Sequence, residues 1–285
     1  MKDIVLHSDA LTVHANAFGA ELRGVEKDGL EYLWQGDTDI YPRTSPTLFP
    51  VIGRFVSDTY YVGDRDYKLP LNGFAMNRNF TVAEQTENSA VFELTDSAAT
   101  REMYPFSFLL RVTYTAEKNT VFVRQHLENR GENEMPWCLG CHTAYRWPRF
   151  ENEQSTDYYL RFEKKESLHS FNPFGWEEAF VIGTDEKPLH HGLFANYTRS
   201  LKNIESEWIE LRSRKSDRAV RIHRAEYPYL AIWTMPTEDA KLICLEPCTS
   251  VHPANAPSLH LSDRWGARVL APGETADLGF SVDFI

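Results

Sequence analysis

The sequence predicts an all-β fold with few short helices, built as one large antiparallel β sandwich. Apolar and polar residues alternate in many short segments, which is the pattern of strands that bury one face. These segments follow one another at short spacing without helices between them, which favours antiparallel sheets over a parallel α/β sheet. The 285 residues contain no linker rich in Gly, Ser or Pro and no internal repeat, so we expect one domain over residues 1–285.

The predicted strands run through the whole chain. In chain order they cover residues 11–14, 91–94, 108–114, 120–127, 158–162, 208–211, 219–223, 230–233, 241–245 and 278–284. One short helix is predicted over residues 97–103, with Asp96 as its N-cap and Pro105 after its end. Residues 163–203 are rich in Pro, Gly, His and aromatic residues, so we expect long loops there, and such loops often carry function on a β scaffold.

Composition and charge exclude several classes of protein. The formal net charge is −11, whereas a nucleic-acid-binding protein needs a clustered basic face. Basic residues do gather between Arg212 and Arg224, but acidic residues are interspersed with them, which favours a solvated strand pair. Four cysteines are too few for a disulfide scaffold, and no segment is typical of a signal peptide or a membrane span. We expect a cytoplasmic protein without a nucleic-acid or membrane partner.

Two titratable residues stand at the ends of apolar, strand-like segments. His142 lies two residues after Gly140, and a histidine side chain can donate or accept a proton near neutral pH. Glu246 follows the apolar segment 242–245 and precedes Pro247, and partial desolvation at the end of a buried strand raises the pKa of a carboxyl. Each has a structural alternative, a backbone hydrogen bond for His142 and an ion pair for Glu246. If the fold brings them together, they form an acid and a base at one cavity.

Two further residue types suit the binding of a polar small molecule. Arg54 lies in a segment with two prolines and a glycine, which could hold its guanidinium rigidly against hydroxyl or carboxylate oxygens. An exposed loop charge is the alternative. Trp233 could cover the apolar face of a sugar ring, although most large aromatics in a β sandwich belong to the core. The same two alternatives, contact with a sugar or a place in the core, apply to Trp137, Tyr145, Trp147 and Trp176.

The four cysteines lie close to the two titratable residues. Cys138 and Cys141 precede His142, while Cys244 and Cys248 lie on either side of Glu246, and such residue types can bind zinc. Large apolar neighbours favour buried, unreactive thiols instead. Motifs for a serine nucleophile, a phosphate-binding loop and a dinucleotide-binding turn are missing from the sequence. We expect neither a metal nor a cofactor.

Six segments, in this order, resemble the aldose 1-epimerase (galactose mutarotase-like) family, and within it the LacX-like branch. They are SPTLFPVIGR (45–54), YPFSF (104–108), GCH (140–142), YLAIW (229–233), CLEP (244–247) and APGET (271–275). The resemblance covers nearly the whole chain. It implies a β supersandwich with an open sugar-binding cleft, and a cofactor-independent isomerase that interconverts the α and β anomers of free aldoses.

The resemblance also implies roles for particular residues. His142 corresponds to the general acid and Glu246 to the general base, and Arg54 corresponds to a substrate-binding arginine. Asn72 stands where the branch has a histidine that helps to hold the sugar. With the aromatic Trp233, we therefore expect Arg54, Asn72 and Trp233 to bind a small-molecule carbohydrate. Glu246 would take the proton of the anomeric hydroxyl while His142 protonates the ring oxygen, and ring closure would reverse both transfers.

The chain departs from the pattern of the branch around the implied site. The branch stretch His-Gly-Phe-Ala-Arg-Asp reads NGFAMN at residues 72–77, so that Met76 and Asn77 replace charged residues. Cys248 replaces a tryptophan and Thr143 replaces a proline. These differences leave the identity of the sugar open. They also leave two other functions open, a non-catalytic carbohydrate-binding or sensing protein and a metal-dependent sugar isomerase or lyase. We expect a monomer or a homodimer.

Overall fold

The chain is predominantly β in the computed structural model, which describes residues 4–172, 176–195, 198–251 and 259–285. The first strands are β1 (Ile4–His7), β2 (Thr12–Asn16), β3 (Glu21–Lys27), β4 (Leu30–Glu31), β5 (Thr47–Leu48), β6 (Thr59–Val62), β7 (Arg65–Lys68), β8 (Thr81–Gln85), β9 (Ser89–Thr95), β10 (Phe108–Glu117) and β11 (Thr120–Asn129). The later strands are β12 (Met135–Trp137), β13 (Gly140–Cys141), β14 (Ala144–Arg146), β15 (Tyr158–Phe171), β16 (Glu177–Pro188), β17 (Arg199–Leu201), β18 (Trp208–Ser213), β19 (Ala219–His223), β20 (Tyr229–Trp233), β21 (Leu242–Cys248), β22 (Arg268–Leu270) and β23 (Thr275–Phe284).

Most strands belong to one large sheet. Its order is β5-β13-β21-β20-β17-β15-β18-β19-β23-β11-β10-β9-β8, with β14 paired to β21 and β16 paired to β15. Strands β1 to β4 form a second sheet, and β6 with β7 and β12 with β22 form two-stranded ribbons. The ladders β10–β11, β20–β21 and β2–β3 are antiparallel, as are those that place the site below. The predicted all-β, antiparallel architecture is confirmed.

Residue patterning explains the long central hairpin of this sheet. Along β10 the residues Val112, Tyr114 and Ala116 are buried, while the residues between them are more exposed, as expected for strands with one face in the core. Lys118 occupies the turn with a φ of 52° and lets β11 return directly beside β10. The Tyr114 hydroxyl donates to the backbone oxygen of Ala20, 2.6 Å away, and so links the large sheet to the residue just before β3.

The structure corrects two of the predicted elements. The short helix exists as α1 (Ala98–Arg101), but Ser97 caps it, because the Ser97 side chain accepts the N–H of Thr100. Asp96 instead accepts the N–H of Phe108 and pairs with Arg101.

The prediction of long loops over residues 163–203 is wrong, because β15 and β16 form a long antiparallel pair there. Register shifts interrupt this pair at three places, between Arg161 and Glu166, between Glu166 and Ser167, and after Leu168. Strand β16 is also largely exposed. Both features remove the apolar alternation by which strands are recognised in a sequence.

The basic segment after residue 211 forms the predicted strand pair. Strands β18 and β19 lie side by side. The carboxylate of the buried Glu210 forms ion pairs with Arg212 and Arg221, with nitrogen–oxygen distances of 3.3 Å and 2.8 Å. These arginines therefore neutralise a carboxylate inside the sheet and do not form a basic surface for nucleic acid. No helix among the described residues has the length and apolar character that a membrane crossing requires.

Candidate active site

Neighbouring strands of the large sheet place the two titratable residues opposite each other. Strand β21 pairs with β13 on one side of His142 and with β14 on the other, in one continuous antiparallel register. His142 therefore faces Glu246 across the strands. On the other side of β21, Trp233 of β20 stands opposite Cys244. Side chains of alternate residues share a face, so Cys244 and Glu246 lie on the same side of the sheet.

Close packing of the backbone holds His142 in this position. Its N–H donates to the backbone oxygen of Pro46, 3.1 Å away. The hydroxyl groups of Ser45 and Thr143 lie 2.7 Å apart and form a buried hydrogen bond, so Thr143, which replaces the expected proline, has a polar partner. At Gly140 a Cβ would lie 2.9 Å from the Cβ of Cys248, closer than real Cβ atoms approach. Glycine at this position therefore allows the two strands to pair beside the histidine.

His142 and Glu246 form a close, buried pair. The Nε2 atom of His142 lies 3.4 Å from Oε1 of Glu246, and the two side chains are 12% and 6% exposed. Among the described residues, Glu246 Oε1 has no hydrogen-bond partner, although it is buried. A buried carboxyl oxygen without a partner is costly, and it can accept a hydrogen bond from a bound hydroxyl group.

Burial drives both groups toward their uncharged forms. Removal from water lowers the pKa of His142 to about 4 and raises the pKa of Glu246 to about 8. Near neutral pH burial therefore favours a protonated carboxyl group on Glu246 beside a neutral His142. Because the groups are so close, they titrate as a pair, and the proton can pass between them.

Tyr41 completes the site, although no sequence pattern indicated it. Its hydroxyl lies 3.0 Å from Nδ1 of His142, and the two rings stack with centroids 5.2 Å apart. Burial raises the pKa of Tyr41 well above its usual range, so the phenol keeps its proton. An Nδ1–H group that donates to the phenol oxygen leaves Nε2 of the neutral histidine, the nitrogen that faces Glu246, free to accept the carboxyl proton. Tyr41 lies outside the regular strands, where no periodicity marks a residue as part of a site.

We expect Tyr41→Phe to lower kcat for any reaction of this pair by roughly tenfold, the effect of losing one hydrogen bond of about 1–1.5 kcal/mol. KM should change little, because the phenylalanine ring still packs against His142 and Trp233. Steady-state kinetics of the variant would measure both constants. Tyr159→Phe, in β15, is the matched control and should leave both unchanged. An unaltered kcat in Tyr41→Phe would contradict a positioning role for this hydroxyl.

Of the expected substrate-binding residues, Trp233 joins the pair. Its ring lies 5.8 Å from the ring of His142 and 5.4 Å from that of Tyr41, in edge-to-face geometry with both. Trp233 is partly exposed. The other aromatic candidates lie elsewhere: Trp137, Tyr145 and Trp147 are buried in the core, and Trp176 is 75% exposed.

Arg54 and Asn72 lie together on neighbouring loops. The side-chain oxygen of Asn72 accepts the N–H of Gly53 at 2.6 Å, and the N–H of Asn72 donates to the oxygen of Gly53. Arg54 is 56% exposed, and its Nε lies 3.0 Å from a carboxylate oxygen of Asp58. Within the described ranges, neither residue forms a hydrogen bond or ion pair with His142 or Glu246. Asn72 thus holds the loop that carries Arg54, and its amide nitrogen is left for other contacts.

The one group of described residues that could hold a metal ion includes the catalytic candidates. A nitrogen of His142, the sulfur of Cys244 and a carboxylate oxygen of Glu246 all lie within 4.8 Å of one another. Such a ligand set suits zinc, provided that the thiol loses its proton. Burial and the nearby Glu246 raise the pKa of Cys244 well above its usual range, which opposes that loss. The other cysteines are also buried and free.

The comparisons with known proteins agree with this architecture. The family model described as aldose 1-epimerase matches residues 2–282. The plasmid form of protein LacX from Lactococcus lactis subsp. lactis is 29% identical over 297 residues, which cover 99% of both chains.

Two solved structures have the same fold over the full chain. A galactose mutarotase related enzyme from Lactobacillus acidophilus has a TM-score of 0.93 and 26% identity, covering 100% of this chain and 97% of its own. A galactose mutarotase-like protein from Lactobacillus casei ATCC 334 has the same score and identity, covering 100% of both chains. The fold is therefore galactose mutarotase-like, as the resemblance implied. With the family model matching almost the whole chain, this protein belongs to the aldose 1-epimerase family.

Proposed function

We propose that the chain is an aldose 1-epimerase-like enzyme, which interconverts the α and β anomers of a free sugar or sugar derivative by acid and base catalysis. The single observation that carries this proposal is the buried pair of His142 and Glu246, 3.4 Å apart. Family membership supports a sugar as the substrate and an isomerase type of reaction. The reaction needs one proton acceptor and one proton donor, which two such groups provide without a cofactor.

In the proposed mechanism Glu246 is the base and His142 is the acid. A bound anomeric hydroxyl donates to the unpartnered oxygen of Glu246, which favours the carboxylate and moves the shared proton to His142. Glu246 then takes the hydroxyl proton as the C1–O5 bond breaks, and O5 receives the proton of His142. The free aldehyde rotates about C1–C2, and closure on the other face returns both protons.

Burial favours the same uncharged pair before and after ring opening in this mechanism. After ring opening, Glu246 is protonated and His142 is neutral, as they are before the sugar binds. The charged pair is therefore needed only while the protons are transferred, and the ring-opened sugar lies beside the pair in its favoured form.

The remaining residues supply binding in this proposal. Trp233 covers an apolar face of the sugar, since the residue is partly exposed and its ring lies beside His142. Arg54 and Asn72 contact sugar hydroxyls from the neighbouring loops. Arg54 does so once its ion pair with Asp58 opens, and Asn72 does so through its amide nitrogen. One domain, a cytoplasmic location and a monomer or homodimer stay predictions.

The test is anomer exchange on a panel of free aldoses, followed by polarimetry or by NMR exchange spectroscopy. We expect at least one sugar to equilibrate far faster with the protein than in buffer, because each of the two groups typically contributes about 10²–10⁴-fold. Saturable sugar binding without any acceleration would support the non-catalytic carbohydrate-binding alternative. Buffer rates on every sugar, together with no binding, would contradict both functions.

A further inference from the structure

A cavity of about 560 Å³ lies beside the candidate active site. We call it the Arg149 cavity, and its basic lining residues are Arg146, Arg149 and Lys241. The volume falls within the range of small-molecule sites, about 300–1,000 Å³. Across the described residues, none of these three side chains forms an ion pair. Lys241 is exposed and Arg146 half-buried, so water can solvate them, whereas the buried Arg149 requires an explanation.

Arg149 presents the clearest case. It is 5% exposed, and all three guanidinium nitrogens are buried without a hydrogen-bond partner among the described residues. One face of the guanidinium rests on the ring of Tyr32, with Cζ 4.6 Å from the ring centroid. This contact leaves the N–H groups at the edge of the plane unused. A guanidinium does not lose its charge in proteins, so its burial without acceptors is costly.

The acidic residues of the cavity do not provide those acceptors. Glu153 is buried and its charge attracts Arg149, but its two oxygens accept the hydroxyls of Tyr158 and Ser213, and it forms no hydrogen bond with the guanidinium. Glu151 and Glu238 are exposed, so that water and salt screen their charges. An acceptor that satisfies Arg149 therefore has to come from outside the described protein groups.

The position of the cavity separates it from the proton-transfer pair. Arg146 lies on the strand face that also carries His142, four residues further on, which corresponds to roughly 13 Å along a strand. Trp34 lines the cavity and also packs against the buried cluster that includes Cys244. A group bound at Arg149 is thus a neighbour of the active site and does not occupy the position of the reacting carbon.

We propose that the Arg149 cavity binds the oxyanion group of a small molecule, a phosphate or a carboxylate. The planar guanidinium matches two oxygens of such a group, and Arg146 and Lys241 add positive charge at the same cavity. The proposal goes beyond the anomer exchange proposed above and does not depend on it, because binding is measured without turnover.

The test is calorimetric titration of the full chain at low ionic strength with inorganic phosphate and, separately, with acetate. We expect one saturable site for at least one of these anions. Arg149→Gln should weaken its binding by about tenfold or more, as expected for the loss of charge-assisted hydrogen bonds. Arg149→Lys should weaken it less, because the charge remains while the planar fork is lost. Glucose 6-phosphate and glucose, titrated as a matched pair, then show whether the anion is recognised free or on a sugar.

Arg111→Gln is the control for charge, since Arg111 pairs with Glu93 on an exposed strand face away from the cavity. It should leave anion binding unchanged, and an equal loss in both variants would overturn the proposal in favour of diffuse attraction. The absence of saturable binding of either anion to the natural chain would also overturn the proposal.

Discussion

Glu246→Gln is expected to lower kcat/KM for anomer exchange by about 10²–10⁴-fold, the usual contribution of a general acid or base. Glutamine has nearly the same size and can accept a hydrogen bond from a sugar hydroxyl, but it cannot take the proton. KM should therefore change little compared with kcat. Polarimetry with the sugar of the panel that reacts fastest would measure both constants.

The control for this substitution is Glu84→Gln, which removes a carboxylate from the exposed strand β8. It should retain the full rate. His142→Gln should lose as much activity as Glu246→Gln, and the double variant should lose little more, because a pair that shares one proton acts as a unit. Equal rates for the natural chain and Glu246→Gln on every sugar would contradict the assignment of Glu246 as the base.

The second large effect concerns the pH dependence of folding. In the folded chain burial raises the pKa of Glu246 to about 8, above the ordinary value of 4.5. The folded chain therefore keeps a proton that the unfolded chain releases, and the free energy of unfolding falls as the pH rises from 4.5 to about 8. The loss is about 1.4 kcal/mol for each pH unit of this window, so it amounts to a few kcal/mol.

His142 has the opposite dependence. Burial lowers its pKa to about 4 from the ordinary value of 6.5, so the unfolded chain takes up a proton that the folded chain refuses. The free energy of unfolding therefore falls as the pH drops from 6.5 to about 4. Between the two ordinary values the effects of His142 and Glu246 oppose each other.

Urea unfolding of the natural chain and two variants would separate the two effects. Relative to the natural chain, Glu246→Gln should gain stability as the pH rises from 4.5 toward 8, and His142→Gln should gain stability as the pH falls from 6.5 toward 4. If the folded chain instead held His142 and Glu246 as an ion pair, the natural chain would lose stability relative to the variants as the pH falls below 4.5 and as it rises above 6.5. Glu84→Gln should show neither dependence.

Several features of the fold follow from the sequence because they depend on local pattern. Apolar alternation predicts most of β10, β11 and β23, since each buries one face along most of its length. The pair β15–β16 was not predicted, because its register shifts and exposed outer strand remove that alternation. The missed N-cap at Ser97 is a difference of one residue, which only the backbone geometry decides.

For the site, the sequence by itself determined the residue types and their setting: a histidine and a glutamate, each at the end of an apolar strand. The segments shared with the aldose 1-epimerase family raised His142 and Glu246 to candidate catalytic residues. Only the tertiary structure decided that the register of β21 brings them within 3.4 Å, and that Tyr41 binds Nδ1 of the histidine. It also decided that Arg149 lines a cavity without an acceptor. The physical reason is that pairing across strands and burial depend on contacts between residues far apart in the chain, for which a single sequence carries no periodic signal.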